Sequence, residues 1–150
     1  MTHETPLVVV TGPPDAGVVA AALADRLGCA YVSLGEIEDE LAVDAEDTPR
    51  SWLRHDAEQE AVRRLTEYSG VAVLDVAVEP PVAAERVTAL VRRWWDDVVE
   101  VRCEAPGLHY EALGASRTVV LDASRRLAVG EIAAVVRRET ATHRRARPAR

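Results

Sequence analysis

Short runs of Val, Leu and Ile alternate along the chain with longer stretches whose apolar residues recur every three or four positions. Such runs are typical of strands that are buried on both faces of a sheet. They predict five strands, at residues 7–11, 30–34, 71–75, 98–103 and 118–122. The stretches between them predict helices at 18–27, at the start of 35–49, from Thr48 or Ser51 through Tyr68, at 80–95 and at 129–141. This alternation, without internal repeats, predicts an α/β domain in which helices cover both faces of a parallel sheet.

Two adjacent tryptophans at the end of the fourth predicted helix cannot share one apolar stripe, because neighbouring helical positions differ by about 100°. Trp94 continues the stripe of Val87, Leu90 and Val91 and is predicted to lie in the core. Trp95 is then predicted to be exposed beside two acids, as a contact for a homodimer or a partner protein. The alternative is that Trp95 packs under the turn that follows.

The length of 150 residues suits a single domain that buries roughly two-thirds of the surface of its unfolded chain. Cys29 and Cys103 are far apart and lack C-x-x-C spacing, so they predict neither a disulfide framework nor a metal site. The first apolar run is too short for a signal peptide or a membrane span. We therefore expect a cytoplasmic protein with reduced thiols.

All 18 basic residues are arginine, and the net charge of −7 is divided unevenly along the chain. Residues 1–136 carry a net charge of −12, whereas residues 137–150 carry +5. We expect a domain over 1–136, followed by the end of the last helix and a disordered basic tail over 137–150. The tail alternatively docks on an acidic surface of this chain or a partner. Without aromatic residues it does not predict a nucleic-acid-binding domain.

The segment "VVVTGPPDAGVVAAALADRLG" at residues 8–28 places a turn with two glycines between a predicted strand and a predicted helix. Gly12 and Gly17 have the spacing of the phosphate-binding pattern G-x-x-x-x-G-K-[ST]. The Lys that reaches the phosphates and the hydroxyl that holds Mg²⁺ are replaced by Val18 and Val19. Asp15 adds a negative charge within the turn, where it either repels a polyphosphate or caps the following helix.

The order of these features resembles the small P-loop kinases: the strand and GPPDAG turn, then SLGEIEDEL, VAVLD, VVEVRCEAP and TVVLDAS. The resemblance covers about residues 6–138 and includes adenylate-kinase-like, shikimate-kinase-like and antibiotic phosphotransferase proteins. It implies a three-layer α/β/α fold with a five-stranded parallel sheet in the order 2-3-1-4-5. It also implies that ATP phosphates sit in the turn and that the acceptor substrate lies over the strand ends.

The cation-supplying parts of that family are missing from this chain. Beyond the two valines, Gly35 stands where the family commonly carries an acid after the second strand. The Arg-rich lid that closes over the transferring phosphate is shortened to residues 106–116, which contain no Arg. Phosphoryl transfer depends on positioning and on neutralisation by cations. We therefore expect a degenerate P-loop, a truncated lid, and no binding of ATP, Mg²⁺ or another metal or cofactor.

Acidic side chains collect at the carboxyl ends of the predicted strands, where ligands bind in open α/β sheets. Asp75, Glu36 and His55 are the candidate catalytic residues. The alternative for Asp75 is that it ends a buried strand and hydrogen-bonds the turn, and the alternative for the other two is a solvated surface position. The candidate ligand-binding residues are Gly12, Asp15, Gly17, Trp52, Arg54 and Glu79. Trp52 and Arg54 loosely match a shikimate-kinase-like F-R-x-x-E segment.

Three functions remain open from the sequence. The first is a kinase fold without phosphoryl transfer, whose old acceptor cleft binds a small metabolite. The second is a cofactor-free acid/base enzyme of a biosynthetic pathway that uses the cleft carboxylates and His55. The third is a divergent ATP-dependent kinase of a small molecule, which the loss of the phosphate-loop Lys, the hydroxyl and the lid arginines disfavours.

Overall fold

A computed structural model of the chain describes residues 5–45, 47–68, 70–78, 82–104, 113, 117–122 and 129–146. Within these residues, strands and helices alternate much as the hydrophobic pattern predicts. The strands are β1 (Leu7–Thr11), β2 (Ala30–Ser33), β3 (Ala72–Asp75), β4 (Val98–Glu104) and β5 (Arg117–Asp122). The helices are α1 (Ala16–Leu27), α2 (Leu34–Val43), α3 (Arg50–Thr66), α4 (Ala84–Arg92) and α5 (Val129–Ala146).

The five strands form one parallel sheet in the order β2-β3-β1-β4-β5, which confirms the predicted topology. The first strand is therefore central and delivers the turn at residues 12–15 to the middle of the sheet edge. Val10 of β1 and Ser33 of β2 both pair with Asp75 of β3. The carboxyl ends of these three strands thus lie at the same level, which brings together the residues that follow them.

Each face of the sheet has its own apolar core. Leu7 and Val9 point to the face covered by α2, α3 and α4, while Val8 and Val10 point to the face covered by α1 and α5. All four side chains are fully buried. Alternation along a strand sends successive side chains to opposite faces, so a continuous apolar run is what a strand between two helical layers requires.

The end of α1 and the start of α3 are set by different local signals. Gly28 closes α1 in the left-handed conformation at φ +64°, and its N–H donates to carbonyls of the last turn. At the start of α3, Pro49 occupies the cap position, and its carbonyl accepts the N–H groups of residues 52 and 53. The predicted start at Thr48 or Ser51 lies within two residues of the observed start at Arg50, and the cap residue is Pro49, which makes no side-chain cap hydrogen bond.

The two tryptophans occupy the opposite positions to those predicted. Trp95 is 3% exposed and belongs to the core under α3 and α4, whereas Trp94 is 38% exposed. Although α4 ends at Arg92, the N–H of Trp95 still donates to the carbonyl of Val91, four positions earlier. Trp95 therefore continues the buried stripe of Val87 and Val91 at helical i, i+4 spacing, and the prediction chose the wrong neighbour for that stripe. Trp95 is therefore excluded as an exposed contact for a homodimer or a partner protein.

The last helix is longer than its apolar pattern predicts. It runs to Ala146, five residues beyond the predicted end at 141, and so includes several residues assigned to the disordered tail. Residues 147–150 lie outside the described residues. Early in the helix, Ile132, Ala133 and Val136 are buried against the sheet.

Candidate functional site

The turn between β1 and α1 is closed by its own hydrogen bonds. Pro13 and Pro14 have no N–H group to offer a ligand. Each residue of 16–18 donates its N–H to the carbonyl three positions earlier, at N···O distances of 2.8, 3.1 and 3.2 Å. A phosphate-binding loop uses such N–H groups to hold the anion. Here five of the positions that would form this cradle either lack an N–H or donate it within the chain.

The side chains around this turn are apolar or acidic. Val18, at the position of the phosphate-binding Lys, is 75% exposed on the first turn of α1. Val19, at the position of the Mg²⁺-binding hydroxyl, packs partly buried against the core. Asp15 is exposed at the cap position of α1, but its side chain makes no cap hydrogen bond. The turn therefore presents a free carboxylate and an exposed aliphatic group.

Both glycines of the pattern have structural reasons to be glycine. Gly12 has φ +138°, and a Cβ there would lie 2.6 Å from the carbonyl oxygen of Cys103. A Cβ at Gly17 would lie 3.0 Å from Oδ2 of Asp75. The first glycine lets the turn cross the end of β4, and the second admits the carboxylate of β3 beneath α1. Their spacing is therefore required by packing alone.

Asp75 is the buried polar centre of this region. Its side chain lies at the end of β3 beneath α1 and is almost fully buried. Oδ2 accepts a hydrogen bond of 2.9 Å from the hydroxyl of Tyr31, and Oδ1 accepts one of 2.9 Å from the N–H of Ala77. The alternative interpretation of Asp75 as a strand-end residue is correct about its burial. Its hydrogen-bond partners are the neighbouring strand and the next turn.

Burial shifts the pKa values of three groups in this cluster in the same direction. Desolvation raises the pKa of Asp75, although the N–H of Ala77 and the hydroxyl of Tyr31 oppose the shift. Desolvation and the nearby Asp75 charge raise the pKa of Tyr31 to about 12. The same two causes raise the pKa of Cys103 to about 11. Cys103 is therefore an unreactive thiol at neutral pH.

The acids around this cluster differ in accessibility. Glu36 is exposed on the first turn of α2, and its N–H donates to Oγ of Ser33, which caps the helix. Its charge also raises the pKa values of Tyr31 and Asp75, which places it beside both. Glu79 lies outside the described residues. Glu36 is thus the predicted site residue that offers an exposed carboxylate next to the buried Asp75.

The predicted site residues of α3 belong to other contacts. Arg54 forms a mostly buried ion pair with Glu38 of α2. His55 is exposed, and its Nδ1 lies 3.4 Å from a guanidinium nitrogen of Arg86 in α4. Trp52 is 67% exposed on the first turn. The structure therefore groups Gly12, Gly17, Asp15, Glu36 and Asp75 around the turn, and it places Arg54 and His55 in contacts with neighbouring helices.

Two solved structures share this architecture. A protein from Chloroflexus aurantiacus J-10-fl that is provisionally described as a kinase matches with a TM-score of 0.76 and 13% identity, covering 95% of this chain and 100% of that chain. A sugar kinase from Janibacter sp. HTCC2649, solved without ligand, matches with a TM-score of 0.57 and 14% identity. The match covers 92% of this chain and 95% of that chain. The chain has a kinase-like fold. No protein-family model and no curated sequence gives a significant match.

Within this kinase-like fold, sequence reasoning missed a buried acid in β4. Glu100 is fully buried, and its Oε2 accepts a hydrogen bond of 2.6 Å from Oγ1 of Thr11, immediately before the turn. Its Oε1 accepts the N–H of Leu113 at 3.2 Å. The sequence signal was a charged residue inside a β-branched run. Glu100 therefore joins the end of β1 to Leu113.

Among the described residues, no three His, Cys, Asp or Glu side chains converge as a metal site would require. In the same part of the chain, no helix combines the length and the apolar character needed to cross a membrane. Residues 106–116, predicted as a shortened lid, lie outside the described residues apart from Leu113.

We expect Asp75→Asn to stabilise the protein increasingly as the pH rises. Because the pKa of Asp75 is raised above its value of 3.8 in the unfolded chain, the folded state binds more protons. Stability contributed by the protonated carboxyl is therefore lost as pH rises through the folded pKa. Asn keeps an acceptor for Ala77 without the buried charge. Urea unfolding of both proteins between pH 4 and pH 8 measures the difference.

The control for this experiment is Asp39→Asn, which removes an exposed acid of α2. The difference in free energy of unfolding between Asp75→Asn and wild type should increase above about pH 4 and then level off. A difference that stays constant with pH, or that favours the wild type at pH 8, would contradict a desolvated carboxylate at this position.

Proposed function

We propose that this chain is a kinase-fold protein that has lost ATP binding and phosphoryl transfer, and that its cleft at the strand ends binds a small molecule. The observation that carries the proposal is the closed turn between β1 and α1. Its N–H groups at 16–18 donate to carbonyls of the same turn, and Pro13 and Pro14 have none. A P-loop enzyme needs free N–H groups and a cation to hold the triphosphate.

The missing side chains reinforce this proposal quantitatively. The chain contains no Lys, and valines stand at the positions of the phosphate-binding Lys and the Mg²⁺-binding hydroxyl. Each charge-assisted contact contributes roughly 1.5–3 kcal/mol. Losing both weakens a micromolar nucleotide site by about two to four decades, at about 1.4 kcal/mol per decade. The exposed Asp15 adds repulsion.

The charges of the cleft favour an amine-bearing ligand. Glu36 and Asp15 are exposed beside the turn, and Asp75 lies directly beneath it. Arg54, the cation expected to bind an anionic substrate, is paired with Glu38. A cluster of carboxylates at the mouth of a cleft raises the local concentration of cations. We therefore propose a small amine as the ligand, with Glu36 as its accessible partner.

Cofactor-free acid/base chemistry is a second candidate function for the same cleft. It is favoured by Asp75, a desolvated carboxyl with a raised pKa that is hydrogen-bonded to Tyr31. Such perturbed groups in a cleft are candidates for proton transfer. In this form the candidate rests on Asp75 and Glu36, because His55 lies beside Arg86 of α4.

Titration with Mg-ATP and with simple amines tests the proposed function. Calorimetry with Mg-ATP is expected to give a dissociation constant in the millimolar range or weaker. A micromolar isotherm that depends on Mg²⁺ would overturn the proposal and favour the divergent kinase.

The second arm measures thermal unfolding in the presence of putrescine, a small diamine, and of citrate, a small anion that the acidic cleft should not favour. A ligand at ten times its dissociation constant stabilises the folded state by about 1.4 kcal/mol. We expect putrescine to stabilise the protein, Glu36→Gln to reduce that effect, and the matched Glu85→Gln in α4 to leave it unchanged. If putrescine stabilises wild type, Glu36→Gln and Glu85→Gln equally, it does not bind in the cleft.

A further inference from the structure

A groove separate from the strand-end cleft runs between α3 and α4. It encloses about 340 Å³ of space, within the usual range for small-molecule sites of about 300–1,000 Å³. Its lining comes from one face of α3 and from the last turns of α4 with the two residues that follow. The polar members of the lining are His55, Glu58, Gln59, Arg86 and Arg93.

Glu58 carries an unsatisfied oxygen in this lining. The residue is only 3% exposed, and its Oε2 accepts a hydrogen bond of 2.9 Å from Nε of Arg86. Its Oε1 is buried and has no hydrogen-bond partner among the described residues. Buried polar atoms are nearly always hydrogen-bonded, so an orphaned carboxylate oxygen calls for a donor beyond the described residues.

That donor has to come from the groove side. Glu58 also borders a deeper cavity of about 20 Å³, and the other nine residues around that cavity are Leu, Val or Ala. A water in that cavity would find one polar partner, whereas buried waters typically have about three. On the groove side, the Arg86 side chain is nearly half exposed, whereas that of Glu58 is almost fully buried. The outer end of the long Arg86 side chain can shift to admit a small donor while its Nε keeps the hydrogen bond to Oε2 of Glu58.

The rest of the groove combines positive charge with an apolar wall. Arg86 and Arg93 outnumber the single acid, in a protein whose net charge is −7. Trp94 is 38% exposed there, and Leu90 and Ala89 line the groove beside it. Arginine recognises carboxylate and phosphate groups, and an exposed indole packs against flat rings. A cationic ligand would meet two guanidinium groups.

We propose that this groove binds a small organic anion that packs a flat ring on Trp94, pairs its acidic group with Arg93, and donates a hydroxyl or N–H hydrogen bond to Oε1 of Glu58. The donor satisfies the orphaned oxygen without adding charge, since Arg86 already balances the carboxylate. The groove is distinct from the acidic strand-end cleft, which selects the opposite charge. The protein then has two sites of opposite electrostatic preference.

An NMR titration with 4-hydroxybenzoate and benzoate tests this proposal, since the two acids differ only in the hydroxyl donor. We expect 4-hydroxybenzoate to shift backbone amide signals of residues 55–62 and 86–94. We also expect it to bind about tenfold more tightly than benzoate, as one hydrogen bond to a charged group would produce. Glu58→Leu should remove that preference, so that the two acids bind equally.

Two exposed positions keep the test informative if Glu58→Leu fails to fold. Arg93→Gln and Trp94→Ala should each weaken both acids about tenfold, because they remove the anion contact and the ring contact. Arg92→Gln and Tyr68→Ala are matched controls outside the groove and should leave binding unchanged. The proposal is overturned if the shifts map elsewhere, if wild type binds both acids equally, or if the controls weaken binding as much as the groove variants.

Discussion

Val18→Lys with Val19→Thr should raise the affinity for Mg-ATP by less than about tenfold, despite restoring both missing side chains. The phosphates still meet a turn whose N–H groups are used internally, and the new Lys is placed close to the carboxylate of Asp15. Adding Pro13→Ser, Pro14→Ser and Asp15→Gly restores two N–H groups and removes the charge. This five-residue variant should bind Mg-ATP at least about a hundredfold more tightly than wild type.

Val43→Lys is the matched control for this series. Val43 and Val18 are 77% and 75% exposed, so both substitutions add a positive charge at a similarly accessible position. Val43→Lys should leave nucleotide affinity unchanged. If the two-residue variant alone reaches micromolar affinity, the internal hydrogen bonds of the turn are not the obstacle, and the closed turn no longer supports the proposed loss of nucleotide binding.

Trp95→Ala should lower the free energy of unfolding by about 3–5 kcal/mol, the usual cost of removing a large buried aromatic side chain. The ring is 3% exposed and packs in the core under α3 and α4. Because small domains are typically stable by about 5–15 kcal/mol, the loss is a large part of the total. Urea denaturation followed by circular dichroism measures it.

The adjacent residue provides the control for Trp95→Ala. Trp94→Ala removes a 38% exposed ring and should cost about 1 kcal/mol or less. Trp95→Phe keeps an aromatic ring in the core and should cost less than Trp95→Ala, which covers the case in which the alanine variant does not fold. Similar losses for the alanine variants at 94 and 95 would show that the burial of these two side chains has been assigned wrongly.

The strands could be predicted from the sequence because a sheet covered on both faces imposes a simple pattern. All five β-branched runs fall within one residue of the observed strand ends. The strand order, by contrast, came from the resemblance to P-loop kinases, since periodicity does not specify which strands are neighbours. The error at Trp94 and Trp95 came from the choice of stripe, because both residues lie at helical spacing from Val87 and Val91 and only the packing of α4 decides which of them is buried.

The candidate site was harder to predict because its chemistry depends on contacts between distant residues. The two valines already indicated a loop without its phosphate-binding Lys and its Mg²⁺-binding hydroxyl, but the internal hydrogen bonds of the turn were not predicted. Nothing local indicated that Arg54 pairs with Glu38, because this contact is set by the packing of α2 on α3. The burial of Glu58 was equally hidden, because its partner Arg86 lies 28 positions further along the chain.

The hydrogen bonds of Glu100 have a consequence for engineering this chain. They fix Leu113 beside the end of β1, so residues inserted between Glu104 and Leu113 would start and end at positions that the fold already holds. Closing a longer chain between two fixed points is inexpensive, since each doubling of its length costs only about 0.6 kcal/mol. Arginines could therefore be added in such an insertion without a redesign of the core.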